Sequence, residues 1–463
     1  MRLLYQTHLN GLKVERFCLN YCYNRRVKYH IWTEGCQMNS ADSMQVSALL
    51  EQLGYQRSST AEEADVIVLN TCVVRQSAED KAIGRLTSLK TLKLQNPSRV
   101  INLMGCLVGM QPPDDLKKRF PYVDVFSSPS DPDPLLSYLS THPQQLALKD
   151  KYQINEILVN ERRYQLPLSL QGQAVAVFIP IVYGCSHACS YCVIPLRRGR
   201  ERSRPAQEIL TEIHQLAAAG VREVTLLGQI VDRYGQDQPG MPNLSELLKR
   251  VNDVEGIQRI RFLTSHPLWM TDELLDTVAA LPRLMPHFEL PIQAGDDNVL
   301  HRMRRGYTVR QFMQIVQKIR QRFGQVSIAT DIIVGFPGET SAQFENTLAL
   351  LKQFKPDMTH VARYSPRPGT PASQNMADDV SAEEKLRRFR EIEQAQETIS
   401  TEINSHYIGL KTPVLFEDKA KKRWRGRTPT NKLVFVETEE DLRGKVKEVQ
   451  IQWTGPWSMI ATI

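Results

Sequence analysis

No stretch of this chain approaches the roughly 18 consecutive apolar residues that a membrane-crossing helix requires. The longest near-miss is Ala174 to Val182, so no membrane span is expected. Met1 to Val27 lacks the continuous apolar core of a secretory signal and, though basic, contains no serine, unlike a transit peptide. It reads as an extension without an assigned role: a disordered arm carrying Cys18 and Cys22, or sequence ahead of the true start. Cysteine is scarce, eight in 463 residues, and scattered. That excludes a small secreted scaffold stapled by disulfides and suits a reducing, cytoplasmic setting with metal or redox chemistry. Charge of one sign is not strongly dominant: 58 Lys and Arg against 51 Asp and Glu leave +7, a mild bias toward an acidic partner. With 41% hydrophobic and 24% charged residues, the chain is an ordinary globular one, long enough for two or three domains.

What the richest motif lacks is a fourth thiol. Tyr183-Gly-Cys185-Ser-His-Ala-Cys189-Ser-Tyr191-Cys192 places three cysteines in one short loop. Three soft sulfur ligands can hold three corners of a four-iron four-sulfur cube, leaving one iron open to something other than protein. The competing reading is structural zinc, which usually takes four protein ligands in two pairs. No second pair lies nearby, and His187 sits between two of the thiols it would have to join.

The chain before this motif alternates strands and helices. Tyr29 to Thr33, Asp65 to Leu69 and Arg99 to Met104 read as strands, with helices from Ser40 to Gly54 and from Ala78 to Leu92 between them. Met44, Leu49, Leu50 and Leu53 form the first helix's apolar side, and Ile83, Leu86 and Leu89 that of the second. This pattern predicts a doubly wound parallel sheet over residues 28–145. Ligands in such sheets bind beyond the carboxyl ends of the strands, and all three predicted strands deliver a cysteine there: Cys36, Cys72 and Cys106. The plainer alternative is three unrelated buried cysteines. Their shared strand position favours a second three-thiol cluster site.

A proline-rich and polar stretch between Ser127 and Leu170 reads as interdomain, with the linker placed at 146–170. Over 171–403, six strands alternate with helices: Phe178–Val182, Glu223–Leu227, Arg259–Leu263, His287–Ile292, Ser327–Val334 and Met358–Tyr364. Pro205 is expected at the first position of the first helix and Gly220 at its end. Six units are too few for a closed eight-stranded barrel, so an open six-stranded partial (β/α) barrel is expected. Gly228-Gln229 and Gln293 follow its strands, and Thr330-Asp331 opens the segment that runs through the fifth to Glu339, toward the end where such barrels carry their chemistry, although a turn glycine at 228 needs no further role.

Two stretches are strongly basic. Pro195 to Arg204 holds five arginines, among them Arg198, Arg200 and Arg202, and one acid, Glu201. Guanidinium forks match phosphate, and phosphate contacts dominate nucleic-acid affinity; internal pairing with Glu201 is the alternative. Residues His406 to Ile463 carry 11 Lys or Arg against 7 Asp or Glu. Within them, Lys419 to Arg427 holds six cations, including Lys421, Lys422, Arg423, Arg425 and Arg427, together with Trp424. A charge run is often only a solvated face. After a charged helix over Ser381 to Ile403, four short β runs (Pro413–Glu417, Lys432–Val436, Lys445–Gln452, Met459–Ile463) predict a small C-terminal β-barrel at 404–463, a form that binds nucleic acid through basic loops and aromatic stacking.

The cysteine triplet at 185, 189 and 192 resembles the signature of the radical S-adenosylmethionine enzymes, in which the open iron chelates that cofactor and reductive cleavage releases a 5′-deoxyadenosyl radical. Thr33-Glu-Gly-Cys36-Gln-Met-Asn-Ser-Ala-Asp-Ser43, Asn70-Thr-Cys72 and Met104-Gly-Cys106 resemble the N-terminal module of the methylthiotransferases. Gln37-Met38-Asn39 with Asp42-Ser43 is nearer the MiaB-type, tRNA-modifying branch than the branch acting on a ribosomal protein. Arg198-Gly-Arg-Glu-Arg-Ser-Arg204 is similar to the same branch, and the C-terminal segment resembles a TRAM RNA-binding domain. Glu34, Ile230 and Ala294 depart from the usual residues.

This resemblance, over about 28 to 463, implies two 4Fe-4S clusters, at Cys36, Cys72, Cys106 and at Cys185, Cys189, Cys192, and S-adenosylmethionine near Tyr191, Gly228, Gln229, Gln293, Thr330 and Asp331. It implies methylthiolation at C2 of N6-isopentenyladenosine beside the anticodon, with tRNA held as an anticodon stem-loop by a monomer. A flavodoxin or ferredoxin would supply electrons. Threonylcarbamoyl adenosine or a ribosomal protein is the alternative substrate; a non-catalytic, metal-bound RNA-binding protein is the alternative from another class.

Overall fold

The computed structural model describes residues 27–74, 76–112, 114–141 and 166–463. The extension at 1–27, apart from Val27, and most of the linker at 146–170 lie outside them. The chain divides into two compact units, Met1–Val73 with Ser77–Ser169 and Leu170–Ile463 with Val74–Gln76.

In the first unit five strands form one parallel sheet: β1 (Lys28–Thr33), β2 (Gln56–Arg57), β3 (Val66–Thr71), β4 (Val100–Gly105) and β5 (Val125–Ser127), in the order β2-β1-β3-β4-β5. Central β3 and β4 are buried along their whole length, as strands covered on both faces must be, and both are apolar runs. The two edge strands escape sequence reading because two or three residues carry no periodicity. Cys36, not the expected Ser40, stands at the N-cap of helix α1 (Gln37–Gln52), which therefore begins one turn earlier. It packs through Val46, Leu49, Leu50 and Leu53. Met44, expected in that stripe, is only half-buried. Helix α2 (Gln76–Gln95) buries Ala82, Leu86 and Leu89, and Ile83 is half-buried beside them.

All six expected strands are present in the second unit. β6 (Ala176–Pro180), β9 (Glu223–Leu227) and β10 (Arg259–Phe262) form one parallel sheet; β11 (His287–Glu289), β12 (Ser327–Val334) and β13 (Met358–Arg363) form another. A bridge between Ile260 and Leu284 joins them, giving an open arc of six parallel strands. A small antiparallel pair, β7 (Val182–Tyr183) and β8 (Arg202–Ser203), brackets the cysteine loop. Pro205 is the N-cap of the helix Ala206–Ala218, not its first residue, with its ψ of 133° still outside the helical region.

At the C-terminus, β14 (Lys411–Ala420), β15 (Arg423–Arg427), β16 (Leu433–Glu437), β17 (Val446–Thr454) and β18 (Met459–Thr462) close a five-stranded barrel around Phe416, Trp424, Val436, Ile451 and Met459. Strand β15 is hidden in the sequence, because its alternation of arginine with Trp424 and Gly426 looks like a basic loop. The alternation is the strand: Trp424 and Gly426 point inward while Arg423, Arg425 and Arg427 remain outside. The same period places Arg259 and Arg261 on one side of β10, where the barrel covers them. Arg259 donates to the carbonyls of Arg427 (2.6 Å) and Pro413 (3.1 Å), and Arg261 to those of Pro429 (2.8 Å) and Thr428 (2.9 Å). Arg261 also pairs with Glu223 at 2.9 Å, both side chains almost wholly buried. Barrel and partial barrel are therefore one body. Replacing Arg261 with Met strands the Glu223 carboxylate and should cost about 3–5 kcal/mol in chemical unfolding of the full chain; a midpoint unchanged from wild type would show that the clamp carries no stability.

Candidate active site

The register of the first sheet brings three thiols to one edge. Thr33 pairs with Asn70 and Asn70 with Met104, so Cys36, Cys72 and Cys106 begin two or three residues past one row. The ends are tied together by side chains to which the sequence alone assigns no role. Asn39, fully buried, donates to Thr71 O at 2.9 Å and to Asn70 Oδ1 at 3.0 Å; Asn70 donates back to Asn39 O at 2.9 Å and to Ser43 Oγ at 3.1 Å. Cys106 N–H reaches Thr71 O at 2.9 Å, and the Thr71 hydroxyl donates to Met104 O at 2.7 Å. Gly35, at φ +136°, lies where a Cβ would fall 2.5 Å from Cys72 Cβ; Gly105, at φ +99°, where it would fall 2.5 Å from Thr71 O. Only glycine allows that approach. Cys72 and Cys106 are buried and Cys36 is exposed. Glu34 pairs with Arg85 at 2.7 Å.

The second set sits in the loop between β7 and the short helix Ile194–Arg198. Its backbone is pinned: Cys185 N–H to Gly199 O (3.1 Å), Ser190 N–H to Met303 O (3.0 Å), the Ser190 hydroxyl to Arg302 O (2.7 Å) and Ala372 N–H to Ser190 O (2.8 Å). Gly184, at φ +65°, is held against the Arg200 carbonyl, 2.2 Å from where a Cβ would stand. The three thiols differ. Burial, with charge from Cys189 and Glu201, pushes Cys185 up to about 11, against a weaker opposing hydrogen bond from the His187 backbone. Burial and the neighbouring thiols push Cys192 up to about 12. Cys189 is half-buried, and desolvation alone would raise it, but hydrogen bonding to the His187 side chain and the charge of Arg305 bring it down to about 7. Arg305 donates to Cys189 Sγ at 3.2 Å and to Tyr307 Oη at 3.0 Å. The His187 ring lies edge-on to His266 (4.8 Å) and Trp269 (5.4 Å). Among the described residues no three His, Cys, Asp or Glu side chains are gathered around a single-ion position. The donor chemistry, three soft sulfurs in each set, fits a cube whose corners they would share.

The other expected positions fare unevenly. Gly228 and the half-exposed Gln229 follow β9, with Gly228 O accepting from the Thr264 hydroxyl at 2.7 Å. Gln293 adopts φ +74° and joins β12 through Asp331 O and its own carbonyl to Ile333 N–H. Asp331 is half-buried on β12, and Tyr191 packs edge-on to Phe336. Thr330 is fully buried, and its hydroxyl spans β11's end, donating to Leu290 O and accepting from Ile292 N–H; it braces strands.

Among the arginines, Arg200 and Arg202 are exposed, Arg202 lying 5.6 Å over the Tyr183 ring, but Arg198 is only 7% exposed and offers no surface contact. Glu201 pairs with Arg233 and Arg204 with Glu212, both at 2.8 Å. Trp424 belongs to the barrel core, so it has no face free for base stacking. Arg425 pairs with Asp418 at 2.5 Å, Arg423 with Glu437 and Arg427 with Glu417 at 3.6 Å each. Lys421 and Lys422 sit exposed at the β14–β15 turn with no ion pair among the described residues. Arg305, Tyr307 and His266 carry no signal in the sequence. Arg304-Arg305-Gly306 reads there like any exposed basic turn.

An open arc of six parallel strands with three cysteines after the first is the architecture of the radical S-adenosylmethionine enzymes. The Radical SAM superfamily model matches residues 179–351, and the model described as uncharacterized protein family UPF0004 matches 28–128. The radical S-adenosylmethionine methyltransferase TsrM of Kitasatospora setae shares the fold at a TM-score of 0.52, over 75% of this chain and 77% of that one, with 13% identity. The tRNA-2-methylthio-N(6)-dimethylallyladenosine synthase of Roseiflexus sp. (strain RS-1) is 46% identical over 94% of this chain and 89% of its own. That of Herpetosiphon aurantiacus is 45% identical over 93% and 96%. The chain belongs to the tRNA-2-methylthio-N(6)-dimethylallyladenosine synthase family.

The thiol differences have a direct readout. In metal-free protein Cys189 should carry the thiolate from about pH 7 upward, while Cys185 and Cys192 stay protonated at neutral pH. Peptide mapping after brief iodoacetamide treatment should show Cys189 alkylation falling off below pH 7 and outpacing its two neighbours at pH 8; equal labelling of all three would contradict the assigned environments. Separately, Gly105→Ala should lower the iron retained by the reconstituted chain as much as replacing Cys36, Cys72 and Cys106 together with Ala; iron undiminished in the triple variant would remove the first set as a metal site.

Proposed function

We propose that this protein is a tRNA methylthiotransferase that replaces the C2 hydrogen of N6-isopentenyladenosine (the dimethylallyl base of its relatives' name), next to the anticodon, with a methylthio group. The observation that carries the reading is collinear likeness at 46% identity across 94% of the chain to a synthase of that name, spanning both cysteine sets and the terminal barrel. Membership of the radical enzymes implies a 4Fe-4S cluster and S-adenosylmethionine. Cys185, Cys189 and Cys192 would hold the cluster, and Cys36, Cys72 and Cys106 a second one. When bound, these groups supply the one-electron chemistry and the sulfur that an aromatic C2–H, too weakly acidic for a general base at neutral pH, demands.

The chain's own residues do the rest. The pinned Gly184–Cys192 backbone presents three thiols, Cys185 buried and Cys189 and Cys192 half-buried. Gln229 and Gln293 follow β9 and β11 and would meet the cofactor's polar groups there, whereas Thr330 serves by fixing β11's end to β12. The barrel contributes the RNA contact through Lys421 and Lys422 at its turn, with Arg423, Arg425 and Arg427 behind them in surface pairs weak enough for phosphate to compete. Arg200 and Arg202 add a second basic edge. No described helix is long and apolar enough to cross a membrane; with tRNA as substrate, the reading includes a cytoplasmic monomer reduced by flavodoxin or ferredoxin.

Anaerobic turnover with isopentenylated tRNA should yield 5′-deoxyadenosine and 2-methylthio-isopentenyladenosine by nucleoside mass spectrometry. Product only with threonylcarbamoyl adenosine, or none with either tRNA, would overturn the assignment. Changing Lys421 and Lys422 to Ala should weaken tRNA binding and make the fall of log K with log salt shallower, by about one for each phosphate the variant no longer neutralises. An unaltered salt slope would take the β14–β15 turn out of the RNA interface.

A further inference from the structure

Arg305 is a cation only 5% exposed, and among the described residues no carboxylate pairs with it. Its direction is enforced. Arg304 before it is at φ +55° and Gly306 after it at φ +77°, while Arg305 N–H is bonded to Leu300 O at 3.0 Å. The guanidinium spends its donors on Tyr307 Oη (3.0 Å), Pro291 O (3.4 Å) and Cys189 Sγ (3.2 Å). Tyr307 in turn donates to the carbonyls of Pro291 and Ile292 at 2.9 and 3.0 Å, so the fork is braced from both sides. A guanidinium does not lose its proton in a protein, and a buried charge needs a compensating one. Of the groups it touches, the Cys189 sulfur is the one that becomes anionic on metal binding. The His187 side chain reaches the same Cys189 sulfur, whereas Cys185 and Cys192 are met by backbone N–H groups, His187 N–H at 3.4 Å from Cys185 Sγ and that of Ile194 at Cys192. The positive charge is therefore placed on one ligand of three.

We propose that Arg305 is a positioning residue that raises the reduction potential of the cluster held by Cys185, Cys189 and Cys192, through its charged N–H···S bond to Cys189. The inference rests on those three cysteines holding a 4Fe-4S cluster. In such a site three thiolates on a dicationic cube leave about one net negative charge, and one electron from an external donor adds a second without breaking a bond. A fixed cation at a ligand sulfur stabilises the two-minus state more than the one-minus state, so the potential rises.

The test uses the full chain loaded anaerobically with iron and sulfide, reading by EPR the potential of the cluster whose spectrum S-adenosylmethionine perturbs. Arg305→Gln, which keeps an N–H but no charge, should shift that potential to more negative values. Arg305→Met should shift it further, and Arg305→Lys should recover most of the loss. Gln and Met variants that load normally at the wild-type potential would overturn the inference while leaving the cysteine assignment standing. If both neutral variants fail to retain iron, Arg305 holds the loop instead of tuning it, and the inference fails. A wild-type chain without an S-adenosylmethionine-sensitive cluster would sink the cysteine assignment and this inference with it.

Discussion

Sulfur ligands brought together in advance of a metal repel one another once ionised and resist ionising when buried, so something other than the thiols must hold them in place. In the second unit the brace is backbone: Cys185 against Gly199, Ser190 against Arg302 and Met303, with Gly184 permitting the close pass over Arg200. In the first unit it is a pair of buried amides, Asn39 and Asn70, clasping the start of α1 to the end of β3. Both arrangements satisfy polar groups that would otherwise be stranded below the surface, so the geometry that gathers the thiols also serves the fold.

The electrostatics follow from the same crowding. Two thiols of the second set are pushed toward the protonated form by burial, and the third is drawn the other way by His187 and Arg305. The three thiols of one loop are thus electrostatically unequal, Cys189 standing apart from its two neighbours. The residues responsible are remote in sequence: Arg305 is 116 positions from Cys189.

The terminal barrel illustrates how alternation can be mistaken for solvation. Arg423, Arg425 and Arg427 are legible in the sequence as a cationic surface, and they are outside, but the intervening Trp424 faces inward because a strand, not a loop, carries them. Five strands closed on themselves leave no edge, and the basic turn at Lys421 and Lys422 projects from a rigid body that Arg259 and Arg261 bind to the partial barrel. Arg198, by contrast, belongs to a short helix whose packing takes it out of solvent, something no count of positive charges could reveal.

By itself the sequence determined the alternating architecture, five of the strands' bounds within a residue or two in the partial barrel, and the place of the six cysteines of the two sets in loops that follow strands, because apolar periodicity and thiol spacing are local properties of the chain. It did not reveal two short edge strands, the two-residue β8 or β15, where too few residues or an unusual alternation hid the period. Tertiary structure alone decided which polar side chains face which: Thr330 bridging strands, Arg204 spent on Glu212, Arg305 aimed at Cys189. Those pairings join residues that stand apart in the sequence, in the last case by more than a hundred positions, and their energies depend on burial, which exists only once the chain is folded.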